Sequence, residues 1–237
     1  MAHLNTDIPA RPIPGADPSG PLAWSELDRL AALVRYAIQD TEPEACFDEI
    51  VGHAVGICDA PMAAINLFAD DRQWFKAKFG FGRRELPLDT SICRHAILNF
   101  DMFVVPDLAR DPRFASNPLV VPPDGLRFYA GAVLKTDEGL PLGMLCVLDT
   151  KTRPQGLSEC QASLLRAFAR QVMLEMNLKL ALAERQAEMK RAEMREAQLK
   201  LGVEVARLGL GMIDYLDDTI TLDSRAAELF GDRKSVV

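Results

Sequence analysis

The sequence has few of the features that mark membrane-spanning, nucleic-acid-binding or metal-binding proteins. No stretch approaches the roughly 20 uncharged apolar residues that a transmembrane helix requires. The formal net charge is -7, and without a basic cluster we expect neither nucleic acid nor an anionic membrane as a partner. The three histidines, His3, His53 and His95, do not combine with any cysteine at a metal-ligand spacing, so we predict no metal site.

Secretory and catalytic signatures are also missing. Residues 1–22 lack the apolar core of a signal peptide and contain five prolines, which predicts a disordered leader. The five cysteines are an odd number in mostly apolar surroundings, and this indicates a reducing cytoplasm rather than a disulfide framework. With no phosphoacceptor histidine motif, nucleotide-binding loop or catalytic dyad, we predict no catalytic residues and identify no cofactor.

Residues 23–157 predict one α+β module. Strand patterns at 62–69 and 72–79 flank the Asp70-Asp71 corner, and two long strands at 128–135 and 141–149 flank a second turn. A short helix at 91–98, a strand at 103–105 and a proline-rich loop at 106–123 lie between these hairpins. Hairpins without βαβ crossovers predict an antiparallel sheet with helices mainly on one side.

Two helices are predicted before the first strand. Ser25 caps the first, and the capping box Thr41/Glu44 begins the second. The residues expected to face inward are Leu27, Leu30, Ala31 and Val34 in the first helix, and Phe47, Ile50, Val51, Ala54 and Cys58 in the second. In the strand at 72–79, alternation predicts that Phe75, Ala77 and Phe79 are buried and that Trp74, Lys76 and Lys78 face water.

Residues 158–208 keep the 3.5-residue period of a coiled coil. The apolar seam positions are Ala169, Met173, Met176, Leu180, Ala183, Ala187, Met194, Ala197 and Leu201. This register predicts a signalling helix that forms a homodimer. The alternative is an amphipathic helix folded back on its own domain.

Several sequence blocks of the α+β module resemble a bacterial GAF domain of the sensor-kinase type. They are DRQWFK (71–76), SICRHAI (91–97), VPD (105–107), DPRF (111–114), RFYAGA (127–132) and GMLCVLD (143–149). The resemblance implies a GAF fold with a small-molecule pocket. GAF domains bind cyclic nucleotides, bilins, haem, small acids or nothing identified, so the ligand stays open. In bilin-binding members the chromophore cysteine is followed by histidine, whereas Arg94 follows Cys93 here, which argues against a photoreceptor.

Residues 209–237 are similar to the opening of a PAS domain. We predict a strand at 211–215, a turn at Asp217-Asp218, a strand at 219–222 and a helix at 225–230. This is too little chain to bury a core by itself. We therefore expect the PAS domain to be truncated and the output domain to lie outside this sequence.

The candidate ligand-binding residues come from three strands, from the short helix, and from the loop and the residues that follow it. They are Phe75, Cys93, Asp107, Arg113, Phe114, Arg127, Tyr129 and Cys146. Arg113, Arg127 and Tyr129 are candidates for contacts to an anion. The alternatives are structural: a helix cap at Asp111, a carboxylate partner for Arg113, and core positions for the aromatic residues and cysteines.

Together these features predict the sensory module of a cytoplasmic bacterial signalling protein. A ligand or redox signal in the pocket would pass through the dimeric helix to a downstream histidine kinase of a two-component system or a cyclic-di-nucleotide enzyme. One alternative is a GAF-type methionine sulfoxide reductase that uses Cys93 and Cys146. The other is a ligand-free dimerisation adapter.

Overall fold

An antiparallel sheet of six strands lies at the centre of the first of two units, which divide between Leu180 and Ala181. In this computed structural model, residues 24–97, 101–206, 211–214 and 219–229 are described. The strands are β1 (Met62–Phe68), β2 (Arg72–Phe79), β3 (Glu85–Pro87), β4 (Met102–Val105), β5 (Phe128–Lys135) and β6 (Pro141–Asp149), in the order β3-β2-β1-β6-β5-β4. The predicted leader, residues 1–22, lies outside the described residues.

Helices cover the two faces of the sheet unequally. The helices of this part of the chain are α1 (Glu26–Arg35), α2 (Ala45–Cys58), α3 (Cys93–Ala96) and the long α4 (Glu159–Ala206). One apolar cluster joins α1, α2 and the start of α4 to one face, and a second joins α3 and the following loop to the other. The predicted fold class is therefore confirmed: α+β, with an antiparallel sheet, flanking helices and a long C-terminal helix.

The second helix follows its sequence pattern. All five predicted inward residues of α2 are buried, because their spacing places them on one face of the helix. The predicted capping box is wrong: Glu44 is the N-cap residue and makes no capping bond with its side chain. The Thr41 hydroxyl instead donates to the Ile38 carbonyl and accepts from Lys76.

The first helix packs on a different face from the predicted one. Ser25 caps α1 as expected, but Leu27 is 80% exposed and Val34 is 69% exposed. Leu33 and Arg29 are buried instead. The guanidinium of Arg29 satisfies its hydrogen bonds on Glu26 and on the Phe68 carbonyl, so a charged side chain takes an inward position.

The hairpin of β1 and β2 is confirmed, but the alternation predicted for β2 is wrong. A bulge shifts the register between Ile65 and Asn66 and leaves Lys76 without a partner residue across the pair. Trp74 and Lys76 are buried under α2, whereas Phe79 at the end of the strand is 52% exposed. Both faces of the strand's centre are therefore covered.

The long helix begins at a capping box that sequence analysis did not name. The Ser158 hydroxyl accepts from Gln161 N at 3.2 Å, and the Gln161 side chain accepts from Ser158 N at 3.0 Å. Three predicted seam residues, Ala169, Met173 and Met176, are buried in the core of their own unit. The prediction that these three residues form an interchain seam is wrong, because side chains that pack against the sheet are not available to a partner helix.

The rest of α4 is exposed. Every residue from 181 to 202 is solvent-exposed, including the predicted seam residues Ala183, Ala187, Met194, Ala197 and Leu201, while Leu180 is half-buried. A stripe of three leucines lies on the side of the helix opposite the predicted seam. These residues, Leu174, Leu178 and Leu182, are 67%, 56% and 52% exposed. The seam beyond Met176 stays a prediction.

The second unit contains a strand pair and a short helix after α4. The strands β7 (Gly211–Asp214) and β8 (Thr219–Leu222) pair antiparallel, and α5 (Ser224–Leu229) follows. The two predicted strands and helix are present near their predicted bounds. Tyr215, the Asp217-Asp218 turn, Phe230 and Leu208 lie outside the described residues. No helix in the described part of the chain is both long enough and apolar enough to cross a bilayer.

Candidate functional site

A cavity of about 270 Å³ opens on the α3 face of the sheet. Strands β1, β2 and β6 form its floor, and α3, the chain around β3 and the loop before β5 form its walls. The lining residues are Met62, Gln73, Phe75, Phe81, Gly82, Arg83, Leu86, Ile92, Cys93, Leu119, Leu126, Cys146 and Leu148. Among these, Arg83 alone carries a formal charge and it is exposed, so the lining is mainly apolar with a cation at the opening.

Backbone turns and ring contacts hold the wall beyond β2 in place. The Phe75 and Phe81 rings meet edge to face with centroids 5.1 Å apart. The chain reverses at Gly80, whose φ is +84° and where a Cβ would lie 2.2 Å from the Pro61 carbonyl oxygen. Only glycine fits this turn, which returns Phe81 toward the cavity.

The inner end of the cavity carries a buried polar cluster. The Asn66 amide Nδ2 lies 3.5 Å from Cys93 Sγ and 3.4 Å from Cys146 Sγ, so one donor serves two sulfurs. Gln73 Nε2 lies 3.7 Å from Cys93 Sγ, and the Ser91 hydroxyl donates to the Gln73 side-chain oxygen. Asn66 Oδ1 and the Tyr129 hydroxyl are buried without a hydrogen-bond partner.

The two thiols have opposite pKa shifts. Burial raises the pKa of Cys93, but interaction with the Cys146 thiol, and then with Tyr129 and the two amides, outweighs burial and lowers it. Interaction with Cys93, together with burial, raises the pKa of Cys146 well above its ordinary value. Of the two thiols, Cys93 is therefore the one that ionises first.

Of the eight predicted ligand residues, the structure brings Phe75, Cys93 and Cys146 to the cavity. The other five do not line it, and their assignment as ligand contacts is corrected. Phe114 and Tyr129 are fully buried in the apolar cluster beside the cavity, because their rings fill the space between the sheet and the loop.

The three predicted polar contacts of the loop have structural partners. Arg113 forms an ion pair with Asp111 at 2.6 Å and lies over the Phe103 ring, as the structural alternative predicted. Arg127 donates to the carbonyls of four loop residues, Val120, Pro122, Pro123 and Leu126. Asp107 accepts from Ala109 N at 3.1 Å.

Sequence reasoning missed most of the apolar lining. Phe81, Leu86, Leu119 and Leu126 lie in loops or in the three-residue β3, where no period of two or 3.6 residues marks an inward face. Within the described ranges, no three His, Cys, Asp or Glu side chains come together as metal ligands. The apolar lining of the cavity is suited to an organic molecule.

Comparisons with known proteins find similarities to a curated protein and to several solved structures. No family model matches the chain. It is 39% identical over 153 residues, 65% of its length, to a cyclic di-GMP phosphodiesterase from Pseudomonas aeruginosa, and it spans only 26% of that protein.

Solved structures similar to the chain include GAF domains. The GAF domain of a phosphoenolpyruvate-protein phosphotransferase from Acinetobacter is 17% identical, with a TM-score of 0.46 over 67% of this chain and 96% of that one. The free methionine-R-sulfoxide reductase from Neisseria meningitidis is 15% identical, with a TM-score of 0.46 over 65% and 89% of the two chains.

Proposed function

We propose that the first unit is a GAF-type sensory module whose cavity binds a small molecule, and that α4 carries the resulting change toward an output domain. The observation behind this proposal is the position of the cavity and of α4 on opposite faces of the same sheet. A ligand that alters the sheet would thereby alter the packing of the helix.

Strand β6 connects the two faces directly. Cys146 and Leu148 point into the cavity, whereas Leu145 and Val147 belong to the apolar cluster that contains Leu165, Val172 and the other buried residues of α4. Successive side chains of a strand point to opposite faces. A shift of β6 on ligand binding therefore reaches α4 through adjacent residues, and a discrete repacking there would bias the helix toward one of two states.

The lining indicates the class of ligand. Aliphatic, aromatic and thiol side chains favour an apolar body, and Arg83 at the opening offers a partner for an acidic group. The volume suits a molecule of two or three rings rather than a full dinucleotide. We therefore propose an apolar ligand with an anionic end.

We expect the probe 1-anilinonaphthalene-8-sulfonate, which has this chemistry, to bind in the cavity. Leu119→Trp should fill the cavity and weaken binding at least about tenfold, which corresponds to about 1.4 kcal/mol. Fluorescence titration measures the dissociation constant. Val121→Trp is the matched control, because Val121 lies in the same loop, is 63% exposed and does not line the cavity. Equal affinities in the two variants would refute binding at this site.

We also propose that the protein is a homodimer through the exposed part of α4. The stripe Leu174, Leu178 and Leu182 presents three large apolar side chains at four-residue spacing to solvent. Isolated exposed apolar residues are ordinary, but a regular stripe on a helix is typical of a partner-binding face. A second copy of the same helix fits it, because side chains at four-residue spacing form a ridge that packs into the grooves of an identical helix.

Leu178→Asp is expected to convert the dimer to a monomer, because it places a charge in the apolar contact between copies. The side chain is 56% exposed within one chain, so the fold of the monomer should be unaffected. Light scattering measures the mass. Ala187→Asp is the control, since it adds the same charge to an exposed position nine residues further along α4, on the side of the helix opposite Leu178. A monomeric wild type, or a dimeric Leu178→Asp, would contradict the proposed contact.

The output remains a proposal. The relative from Pseudomonas aeruginosa is a cyclic di-GMP phosphodiesterase and is much longer than the matched part. We propose a downstream cyclic-di-nucleotide enzyme or histidine kinase, with residues 209–237 as the start of an intervening PAS domain. The cytoplasmic location stays a prediction. So do the two alternative functions, a methionine sulfoxide reductase and a ligand-free dimerisation adapter.

A further inference from the structure

Ligand binding alone does not explain why two cysteines lie together at the inner end of the cavity. Both thiols line the cavity and both accept from the same Asn66 amide, although they come from elements far apart in sequence, α3 and β6. Their side chains also interact with each other. The other three cysteines, Cys46, Cys58 and Cys160, do not line the cavity.

We propose that Cys93 and Cys146 form a reversible disulfide when an apolar organic hydroperoxide enters the cavity. The inference deepens the proposed sensory function, because it names a chemical signal for the same site. The cavity provides the route: both thiols are at most 4% exposed, so an oxidant reaches them through the apolar opening rather than from bulk solvent. Apolar walls favour an alkyl or aryl hydroperoxide over hydrogen peroxide.

The chemistry balances in two steps. The Cys93 thiolate attacks the terminal peroxide oxygen, the O–O bond breaks, the alkoxide leaves and takes a proton as the alcohol, and Cys93 becomes a sulfenic acid. The Cys146 sulfur then attacks the Cys93 sulfur, and the hydroxyl leaves with the Cys146 proton as water. Two thiols and one hydroperoxide thus give one disulfide, one alcohol and one water.

The environment assigns different roles to the two sulfurs. The pKa of Cys93 is lowered, so its thiol is the group that ionises first and attacks the peroxide. Cys146, with its raised pKa, remains protonated until it resolves the sulfenic acid. Cys58 provides a contrast, since burial raises the pKa of its thiol to about 11 and its side chain does not line the cavity.

The test treats the reduced full chain with cumene hydroperoxide and counts free thiols under denaturing conditions. We expect a loss of two of the five thiols, a Cys93–Cys146 crosslink in the peptide map, and full recovery with a dithiol reductant. Cys93→Ala and Cys146→Ala should each abolish the crosslink. Cys58→Ala should keep it, which controls for the loss of a buried cysteine. Hydrogen peroxide at the same concentration should react more slowly.

Several results would overturn the proposal. A crosslink between other cysteines, no loss of thiols in the folded protein, or loss only after unfolding would each do so. Circular dichroism checks that the variants fold. If a variant does not fold, the peptide map of the oxidised wild type still shows whether Cys93 and Cys146 are crosslinked. The readout is the state of the thiols, so a negative result leaves the probe-binding test of the proposed function to be decided separately.

Discussion

Glu44→Gln is expected to lower the free energy of unfolding by about 3 kcal/mol, because it leaves a buried ammonium group without its counter-charge. Lys76 has a fully buried side chain whose Nζ lies 2.7 Å from a Glu44 carboxylate oxygen. The lysine keeps hydrogen bonds to Thr41 and to the Glu42 carbonyl, but neither carries a charge. Urea unfolding measures the loss.

The second partner of Glu44 provides the control. Lys179 on α4 also pairs with this carboxylate, but its side chain is 42% exposed. Lys179→Met should therefore cost about 1 kcal/mol or less. An equal loss in the free energy of unfolding in Glu44→Gln and Lys179→Met would show that the burial of Lys76 is not what makes Glu44→Gln destabilising. Lys76→Met in the Glu44→Gln background should recover stability, because it removes the unpaired charge.

The stabilising effect of Glu44 depends on pH with a definite sign. Burial raises the carboxyl pKa, but hydrogen bonds from Lys179 and Lys76 outweigh it, so the pKa of Glu44 lies below its ordinary 4.5. A lowered folded-state pKa means that the stabilisation is complete above the unfolded pKa and is lost as pH falls through the folded one. The difference in the free energy of unfolding between wild type and Glu44→Gln should therefore narrow as the pH falls below 4.5.

Phe114→Ala is expected to cost about 3–5 kcal/mol, because Phe114 is a core residue rather than a ligand contact. Its ring is fully buried, with its centroid 5.0 Å from that of His95 and 6.2 Å from that of Phe103. The loop that carries Phe114 also supplies Leu119 and Leu126 to the cavity wall. Thermal or urea unfolding measures the loss.

A phenylalanine outside the core gives the comparison. Phe79 is 52% exposed at the end of β2, so Phe79→Ala should change stability by no more than about 0.5 kcal/mol. Similar costs for the two variants would contradict the assignment of Phe114 to the core. Weaker probe binding by Phe114→Ala at full stability would restore Phe114 to the ligand site.

The fold was predictable where burial follows a regular period. The strands β5 and β6 have the predicted bounds, and α2 buries the five predicted residues, because a long apolar pattern leaves few choices of face. Prediction failed where a polar group took an inward place. Arg29 in α1 and Lys76 in β2 are buried because distant carbonyls and carboxylates satisfy them, and a local pattern does not show those partners.

The site was predictable only in part, for a related reason. The two cysteines and Phe75 lie on regular elements near the centre of the sheet, so their inward orientation follows from the pattern. The remaining wall comes from loops whose course depends on tertiary contacts, such as the bond from Asn117 Nδ2 to the Thr90 carbonyl. On α4 the apolar spacing marked Ala169, Met173 and Met176 as an inward face, but it did not distinguish the sheet from a partner helix as the surface that covers them.

The two outermost strands also bear on how the protein behaves at high concentration. The sheet ends in β3, with three residues, and in β4, with four, while the inner strands have seven to nine. The unpaired backbone N–H and C=O groups of an edge strand are a template to which a strand of another chain can add. Short edge strands offer few such groups. Addition of a further strand to either end of this six-stranded sheet is thereby disfavoured.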